Sequence, residues 1–452
     1  MQGKTRLWFT LLVGGWIGIS TACGQEAYDL RPHLAKGGLT SVEVLVEVAG
    51  ELKVTEPGKS PTALPMQIKA SAHYEEGVVS GTSTPTGSRR LARKYDTISA
   101  KFQVDGRRME PTLADDHRFV IADWSGAKFL AYLPIGNLTR EELDLVSLPA
   151  DSAVVDMLLP EKPVAVGDRW QYMPEVLAAL LGLDAVDTSD IESELIEVQG
   201  TSAKCELGGK LSGAIGGVAS ECQLKAKFTF DLTSKRITWL AMLIKEKRAI
   251  GHAAPGVEAT SRLQLKISPL TQVTSLPANL ATMDVPPNPL NTALRFRAPT
   301  GDFEFDYDRR WQMLNQDEKG TTFRFVDEGE LVAQLNVIPL KKSVNGPVPL
   351  STFQEDIQRA LGENFGQFVS AAQNADDPSR LVYRVVCTGK ANDLPVQWNY
   401  HMVSAPSGEQ VLLIVTLEAA MVERFGDQDR LLVERLRLAK GAQTASRPTI
   451  RR

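Results

Sequence analysis

Histidine and cysteine are scarce in this chain. Five histidines (His33, His73, His117, His252, His401) and four cysteines are spread over 452 residues. No histidine pair has the H-E-x-x-H spacing that sets two imidazoles on one helix face around zinc, and no cysteine has a second Cys or His near it. The serine elbow G-x-S-x-G is missing; GKLSG (Gly209 to Gly213) has the wrong spacing. VGGWIG and GAIGG match neither a phosphate loop nor a dinucleotide fingerprint. An excess of positive charge is also absent: 50 Lys and Arg against 55 Asp and Glu give a net charge of -5, which argues against general nucleic-acid binding. The basic pairs Arg89-Arg90 and Arg107-Arg108 fall in or beside expected loops and read as solvated turns. These absences leave no catalytic, cofactor-binding or metal-binding residue to nominate, and the chain is expected to be non-enzymatic.

What is present begins at the N-terminus. Lys4 and Arg6 precede an uncharged apolar run, Leu7 to Ile19, followed by small residues in STACG. This is the pattern of a signal peptide over residues 1–24. Ala22-Cys23-Gly24 suits ordinary cleavage, with maturation near Gln25. Lipidation of Cys23 is the alternative, but Ser20 stands where that motif wants a branched apolar residue. Soluble export, periplasmic or secreted, is therefore expected, with no transmembrane segment after removal of the signal. The later apolar run VLLIVTL, from Val411, has the length of a buried strand.

Export makes disulfides available. Cys205 and Cys222 alternate with inward-facing residues on two successive strands, with glycines (Gly213, Gly216, Gly217) between them. A Cys205–Cys222 bridge would contribute on the order of 3 kcal/mol. Two buried free thiols are the other reading. Cys387, in LVYRVVCTGK, reads as a buried strand thiol.

Periodicity divides the chain. Residues 25–270 read as mostly antiparallel β, a curved sheet or open barrel with a few helices. Val42, Val44, Val46 and Val48 alternate with Glu43 and Glu47. Helices are expected after Thr139 as N-cap, with Glu141 and Glu142 in the first turn, and from Pro174 to Gly182. Residues 271–293 are proline-rich and aperiodic, which suggests a linker. Residues 294–440 read as a second domain, and 441–452 as a disordered basic tail. In the second domain, a helix capped by Ser351 and Gln354 precedes three strands, and DQDRLLVERLRLAK closes the domain as a helix. His401 alternates with Gln397 and Asn399 on the polar side of its strand and reads as exposed.

The densest carboxylates lie in GDFEFDYDRRW. Asp302, Glu304, Asp306 and Asp308 alternate with Phe303, Phe305 and Tyr307. A calcium loop needs Gly at its sixth position and Glu at its twelfth; Tyr307 and Met313 stand there instead. The solvated face of a strand is the expectation. LADDHRF gathers Asp115, Asp116 and His117, but adjacent residues on a turn point apart.

FRAPTGDFEFDYDRRW, followed by strands, a helix, three strands and a last helix, resembles the PsbP-like and DcrB-like superfamily. Its opening pattern is aromatic-x-aromatic-x-Tyr-Pro-x-x-Trp. Phe303, Phe305, Tyr307 and Trp311 match, and Asp308 replaces the proline. The resemblance implies an α/β/α sandwich with an antiparallel sheet, and so an α+β protein of two domains. It also implies a protein-binding or assembly role. The N-terminal region loosely resembles uncharacterised exported proteins of planctomycete-type bacteria. The expected function is an exported envelope protein that binds or scaffolds an unknown envelope partner, without a cofactor. The alternatives are a carrier of lipid or another hydrophobic ligand, lined by Val176 to Leu183, and a hydrolase of unrecognised type built around Asp115, Asp116 or His117.

Overall fold

The computed structural model describes residues 26–33, 37–55, 60–81, 87–124, 129–272, 275–317, 319–344 and 346–438. The expected signal peptide, Cys23 and the tail 441–452 lie outside the described residues. The first part of the chain runs β1 (Ala27–Tyr28), β2 (Leu39–Val54), β3 (Thr62–Gly81), β4 (Arg89–Val104), β5 (Arg107–Met109), β6 (Phe119–Trp124), β7 (Phe129–Tyr132), α1 (Arg140–Val146), β8 (Val164–Ala165), β9 (Arg169–Gln171), α2 (Pro174–Leu181), β10 (Ala185–Ser189), β11 (Glu192–Gln199), β12 (Ser202–Ile215), β13 (Val218–Asp231), β14 (Arg236–Arg248) and β15 (Gly256–Pro269). The second part runs β16 (Leu294–Arg297), β17 (Phe303–Tyr307), β18 (Trp311–Asp317), β19 (Gly320–Asp327), β20 (Glu330–Leu340), α3 (Leu350–Leu361), β21 (Phe365–Asn374), β22 (Leu381–Ala391), β23 (Leu394–Ser404), β24 (Gln410–Glu418), α4 (Val422–Phe425), α5 (Gln428–Glu434) and β25 (Arg437–Leu438).

The expected α+β class with a C-terminal α/β/α sandwich is overturned. The described residues are 56% strand and 14% helix, in several antiparallel sheets of which none closes. A 13-stranded sheet follows the order β7-β6-β4-β3-β2-β15-β14-β13-β12-β11-β9, with β10 on β12 and β5 on β4. In the second part a seven-stranded sheet, β18-β19-β20-β24-β23-β22-β21, stands beside a separate three-stranded one, β16-β17-β25. Two segments depart from the reading of residues 294–440. Residues 365–374, to which it assigns no element, form β21, and the last expected helix stops at Glu434, after which Leu438 pairs with Phe303. Extending there gives the edge of β17 a hydrogen-bonding partner.

Local signals fix many elements. In β2, Val42, Val44 and Val46 are buried while Glu43, Leu45 and Glu47 are exposed. Thr139 and Glu142 form a reciprocal capping box at α1. Pro174 opens α2, and Gly182 closes it in the left-handed region at φ 70°. The cap expected at Ser351 is absent; α3 begins at Leu350, behind Pro349, with no side-chain cap.

One continuous apolar core runs from Leu30 through the large sheet to Phe305, Trp311 and Leu436. The two parts of the chain also meet through their hairpin tips. A Cβ at Gly217, where φ is +73°, would fall 2.2 Å from the Cα of Gly329, so the turns β12–β13 and β19–β20 touch backbone to backbone. Residues 275–293 lie against the large sheet: Leu276 and Leu280 are buried with Val79, Ile121 and Tyr132, and the Tyr132 hydroxyl donates to the Val285 carbonyl at 2.7 Å. Among the described residues no helix is long and apolar enough to cross a membrane.

Candidate functional site

The most concentrated polar chemistry is a sealed charge network in the large sheet. Glu76 of β3 stands directly across the ladder from Arg93 of β4. Arg93 is fully buried; its Nε donates to Glu76 Oε2 at 2.9 Å and its Nη1 to Asp151 Oδ2 at 2.7 Å. Its Nη2 donates to Asp151 Oδ1, completing a two-pronged grip, and to Ser152 Oγ at 2.9 Å. Ser152 Oγ in turn donates to Glu76 Oε2 at 2.5 Å. The Arg93 guanidinium lies 5.0 Å from the centre of the Tyr74 ring. Arg89 and Arg236 approach Asp156 at 3.8 and 3.9 Å, and Arg236 approaches Glu76 at 3.9 Å. Three arginines therefore face three carboxylates, all buried. Burial works against the charge of Arg93, but Asp151 and Glu76 outweigh it and hold its pKa above the ordinary value. Burial pushes the Tyr95 hydroxyl up to about 12.

The solvated-turn reading of Arg89-Arg90 is thus corrected. Arg89 is 2% exposed and lies within β4. A signal existed in the sequence. Arg89, Leu91, Arg93 and Tyr95 share one parity in β4, as Tyr74 and Glu76 do in β3, so the charges occupy positions of the apolar face.

The other nominated residues separate. His117 Nδ1 lies 2.9 Å from the Glu142 carboxylate, which also accepts from the Ala114 and Thr139 backbone amides at 3.2 and 2.9 Å. Glu142 is thereby committed to the α1 cap. Asp115 pairs with Arg118 at 2.9 Å, and Asp116 is exposed. His401 is 2% exposed, not a surface residue. Its Nε2 lies 2.8 Å from Asp429 Oδ2 of α5, where Asn399 and Arg384 also donate at 3.0 and 3.2 Å. Burial pushes the Asp429 carboxyl up, but the His401 and Arg384 contacts outweigh it and leave its pKa below the ordinary value. α5 covers this side of the sheet, while α3 packs Phe353 and Ile357 on the opposite side with Trp398 and Tyr400.

Of the two readings of Cys205 and Cys222, the possible bridge is excluded and the buried free thiols stand. Cys205 stands opposite Phe228, and Cys222 opposite Leu211, so the two lie six residues apart along the ladder. That is about 20 Å, against the roughly 4.4–6.8 Å between Cα atoms that a disulfide spans. Cys205, Cys222 and Cys387 are buried free thiols. Burial pushes Cys205 up to about 12, and Cys222 and Cys387 up to about 11.

The acidic ladder is split by its partners. Phe303, Phe305 and Tyr307 are buried as expected, and Asp302 is exposed. Asp306, however, is buried against Arg295 at 2.9 Å and Arg437 at 3.4 Å, because β16 and β25 flank β17 on both edges. Among the described residues no group of three or more His, Cys, Asp or Glu is placed to hold a metal ion. Val176, Leu177, Ala178 and Leu180 of α2 are packed into the main core. The large open troughs, of about 1020 and 680 Å³, lie on the opposite, charged face of the sheet, beside Lys210, Lys245 and Glu221 and beside Lys225, Glu206 and Arg262.

One surface stands out as unfinished. β21 is the last strand of its sheet and pairs only with β22 among the described residues. Its ten residues, FGQFVSAAQN, carry no charge and are almost all exposed, with Val369 at 58%. The usual protections of an edge are charge and proline. β21 has neither, only two bulges in its register with β22.

No family model matches the chain, and no curated protein matches it. Solved structures similar to it include cyanobacterial PsbP (CyanoP) from Synechocystis sp. PCC 6803, 10% identical, covering 32% of this chain and 92% of that one with a TM-score of 0.27. The Ran-binding protein Mog1p of Saccharomyces cerevisiae is 7% identical, over 32% of this chain and 95% of that one, with a TM-score of 0.26. DynF, from the dynemicin biosynthesis pathway of Micromonospora chersina, is 5% identical over 54% of this chain and 86% of its own, with a TM-score of 0.16.

Proposed function

We propose that the chain is an exported, non-enzymatic protein-binding module of the bacterial envelope, and that it takes an extended segment of a partner protein along the free edge of β21. The reading rests on that edge: ten consecutive uncharged residues, eight of them exposed, with one row of backbone groups unpaired among the described residues. A strand added there gains main-chain hydrogen bonds at every second residue. The absence of charge on β21 favours an uncharged partner segment, since a charged side chain would be desolvated against it. Export is supported by the N-terminal sequence pattern, and residues 294–440 are read as PsbP-like from Phe303, Phe305, Tyr307 and Trp311. The non-enzymatic reading is supported by where the titratable clusters sit. The arginine–carboxylate network and the His401–Asp429 pair are sealed from solvent, and Glu142, which holds His117, is committed to a helix cap.

The test is a photo-crosslinking residue at Val369 in the exporting host. One saturable heterologous product, lost on Ala371→Lys, is the expected result. No product, a product indifferent to Ala371→Lys, or a product of twice the chain's own mass would each overturn the proposal.

A further inference from the structure

A cavity of about 160 Å³ opens where residues 289–293, the β17–β18 turn and α5 meet, walled by Leu130, Pro289, Leu431 and Leu432. Its polar lining is unusually rich in donors. Arg309 spends Nε and Nη2 on the carbonyls of Thr292 and Ala131, both at 2.6 Å, and has no carboxylate within ion-pair distance among the described residues. The Arg435 guanidinium lines the same space, and no hydrogen bond or ion pair of its side chain is found among the described residues. Trp311, 2% exposed, contributes to the wall, and its indole N–H, itself closed to solvent, has no acceptor. The Tyr307 hydroxyl is likewise without a hydrogen-bond partner among the described residues.

Two carboxylates, Asp306 and Asp308, also line the cavity, but each is held from outside it. Asp306 is bound by Arg295 and Arg437, and Asp308 by Arg310 at 3.1 Å, though Asp308 also feels the charge of Arg435. Arg309 and Arg435 are therefore the surplus charges of the site. Burial, with the repulsion of Arg140, pulls Arg309 down to about 10, and the charge of Asp308 opposes this without offsetting it.

We propose that this cavity binds a small aliphatic carboxylate, whose anion is taken by Arg309 and Arg435 while its hydrocarbon lies against Leu130, Leu431 and Leu432. At ~30 Å³ per water, the space holds about five waters, which admits a short-chain carboxylate and not a long-chain fatty acid. The site is independent of the β21 edge and stands or falls without it.

Isovalerate is the probe, with isovaleramide as its uncharged counterpart, against the full chain labelled with ¹⁵N at the tryptophan indoles. The expected result is a saturable shift of one indole resonance, that of the Trp311 in the cavity wall, identified by its loss in Trp311→Phe, with isovalerate and not with isovaleramide. Arg435→Gln changes a half-buried side chain with no hydrogen bond to lose, so the other indole resonances are expected to stay in place. It should weaken isovalerate by about tenfold, the loss of one charge-assisted hydrogen bond. A Trp311 resonance that does not move, that moves equally with isovaleramide, or that responds unchanged in Arg435→Gln overturns the proposal.

Discussion

Replacing Arg93 by methionine is the sharpest test of the sealed network. The substitution keeps an unbranched, flexible stem and removes the charged guanidinium. It leaves Asp151 and Glu76 buried, with the Ala153 amide donating to Asp151 at 2.9 Å, the Ser152 hydroxyl donating to Glu76, and Arg236 no closer than 3.9 Å to Glu76. Removing one partner of a buried ion pair costs about 3–5 kcal/mol, because the charge left behind has lost both water and its counter-ion. Native proteins have only about 5–15 kcal/mol in total, so Arg93→Met should be strongly destabilising in urea, with the midpoint falling and the slope unchanged. The triple variant Arg93→Met, Glu76→Gln, Asp151→Asn removes charge from both sides and should recover much of that loss, a large non-additivity of the kind contacting residues show. Lys69→Met, which breaks the exposed pair with Glu47 at 3.1 Å, is the reference and should do nothing measurable. Urea melts followed by circular dichroism and by tryptophan fluorescence give the comparison. If Arg93→Met costs less than about 1 kcal/mol, the cost expected of an exposed pair, or if the triple variant is simply additive, Glu76 and Asp151 are not charged and paired with Arg93 as the geometry demands.

Three further outcomes are expected. Without reductant, Cys205, Cys222 and Cys387 should resist iodoacetamide at neutral pH and all three should react after unfolding, since burial suppresses each thiolate; intact mass spectrometry reads the added groups. Asp429 has a folded pKa below its unfolded value of 3.8, so its contribution to stability is complete above that value and is lost as pH falls through the folded pKa; Asp429→Asn should lower stability at pH 7 and flatten the acid side of the stability profile. Glu142→Ala removes both the capping box and the contact to His117, and should cost about 1–2 kcal/mol by urea melt, with Glu142→Gln losing less because an amide oxygen still accepts from Thr139.

Strand alternation, the Thr139 cap, Pro174 and Gly182 were legible because each depends on residues within a few positions of one another. Burial of Phe303, Phe305 and Tyr307 was legible for the same reason. Those same rules misplaced Arg89 and His401, because period-two patterning says which residues share a face and not what covers it. On β4, the segment from Asp151 to Asp156 supplies the missing carboxylates from about sixty residues away. On β23, α5 covers the polar face and turns an apparently solvated histidine into a buried one. The disulfide failed on register: two cysteines can both face inward on neighbouring strands and still stand six residues apart, since the turn position, and not parity, decides which residues meet.

By itself, the sequence determined the strand-rich character of residues 25–270, the inward faces of β2 and β17, the capping of α1 and the ends of α2, because these follow from backbone stereochemistry and the burial of alternating apolar side chains. Tertiary structure alone decided that charges of opposite sign would meet inside the large sheet, that Asp306 would be enclosed between Arg295 and Arg437, and that β21 would be left as an open edge. Each of these depends on which distant segments become neighbours, and that is settled by the packing of whole sheets and helices rather than by any local pattern.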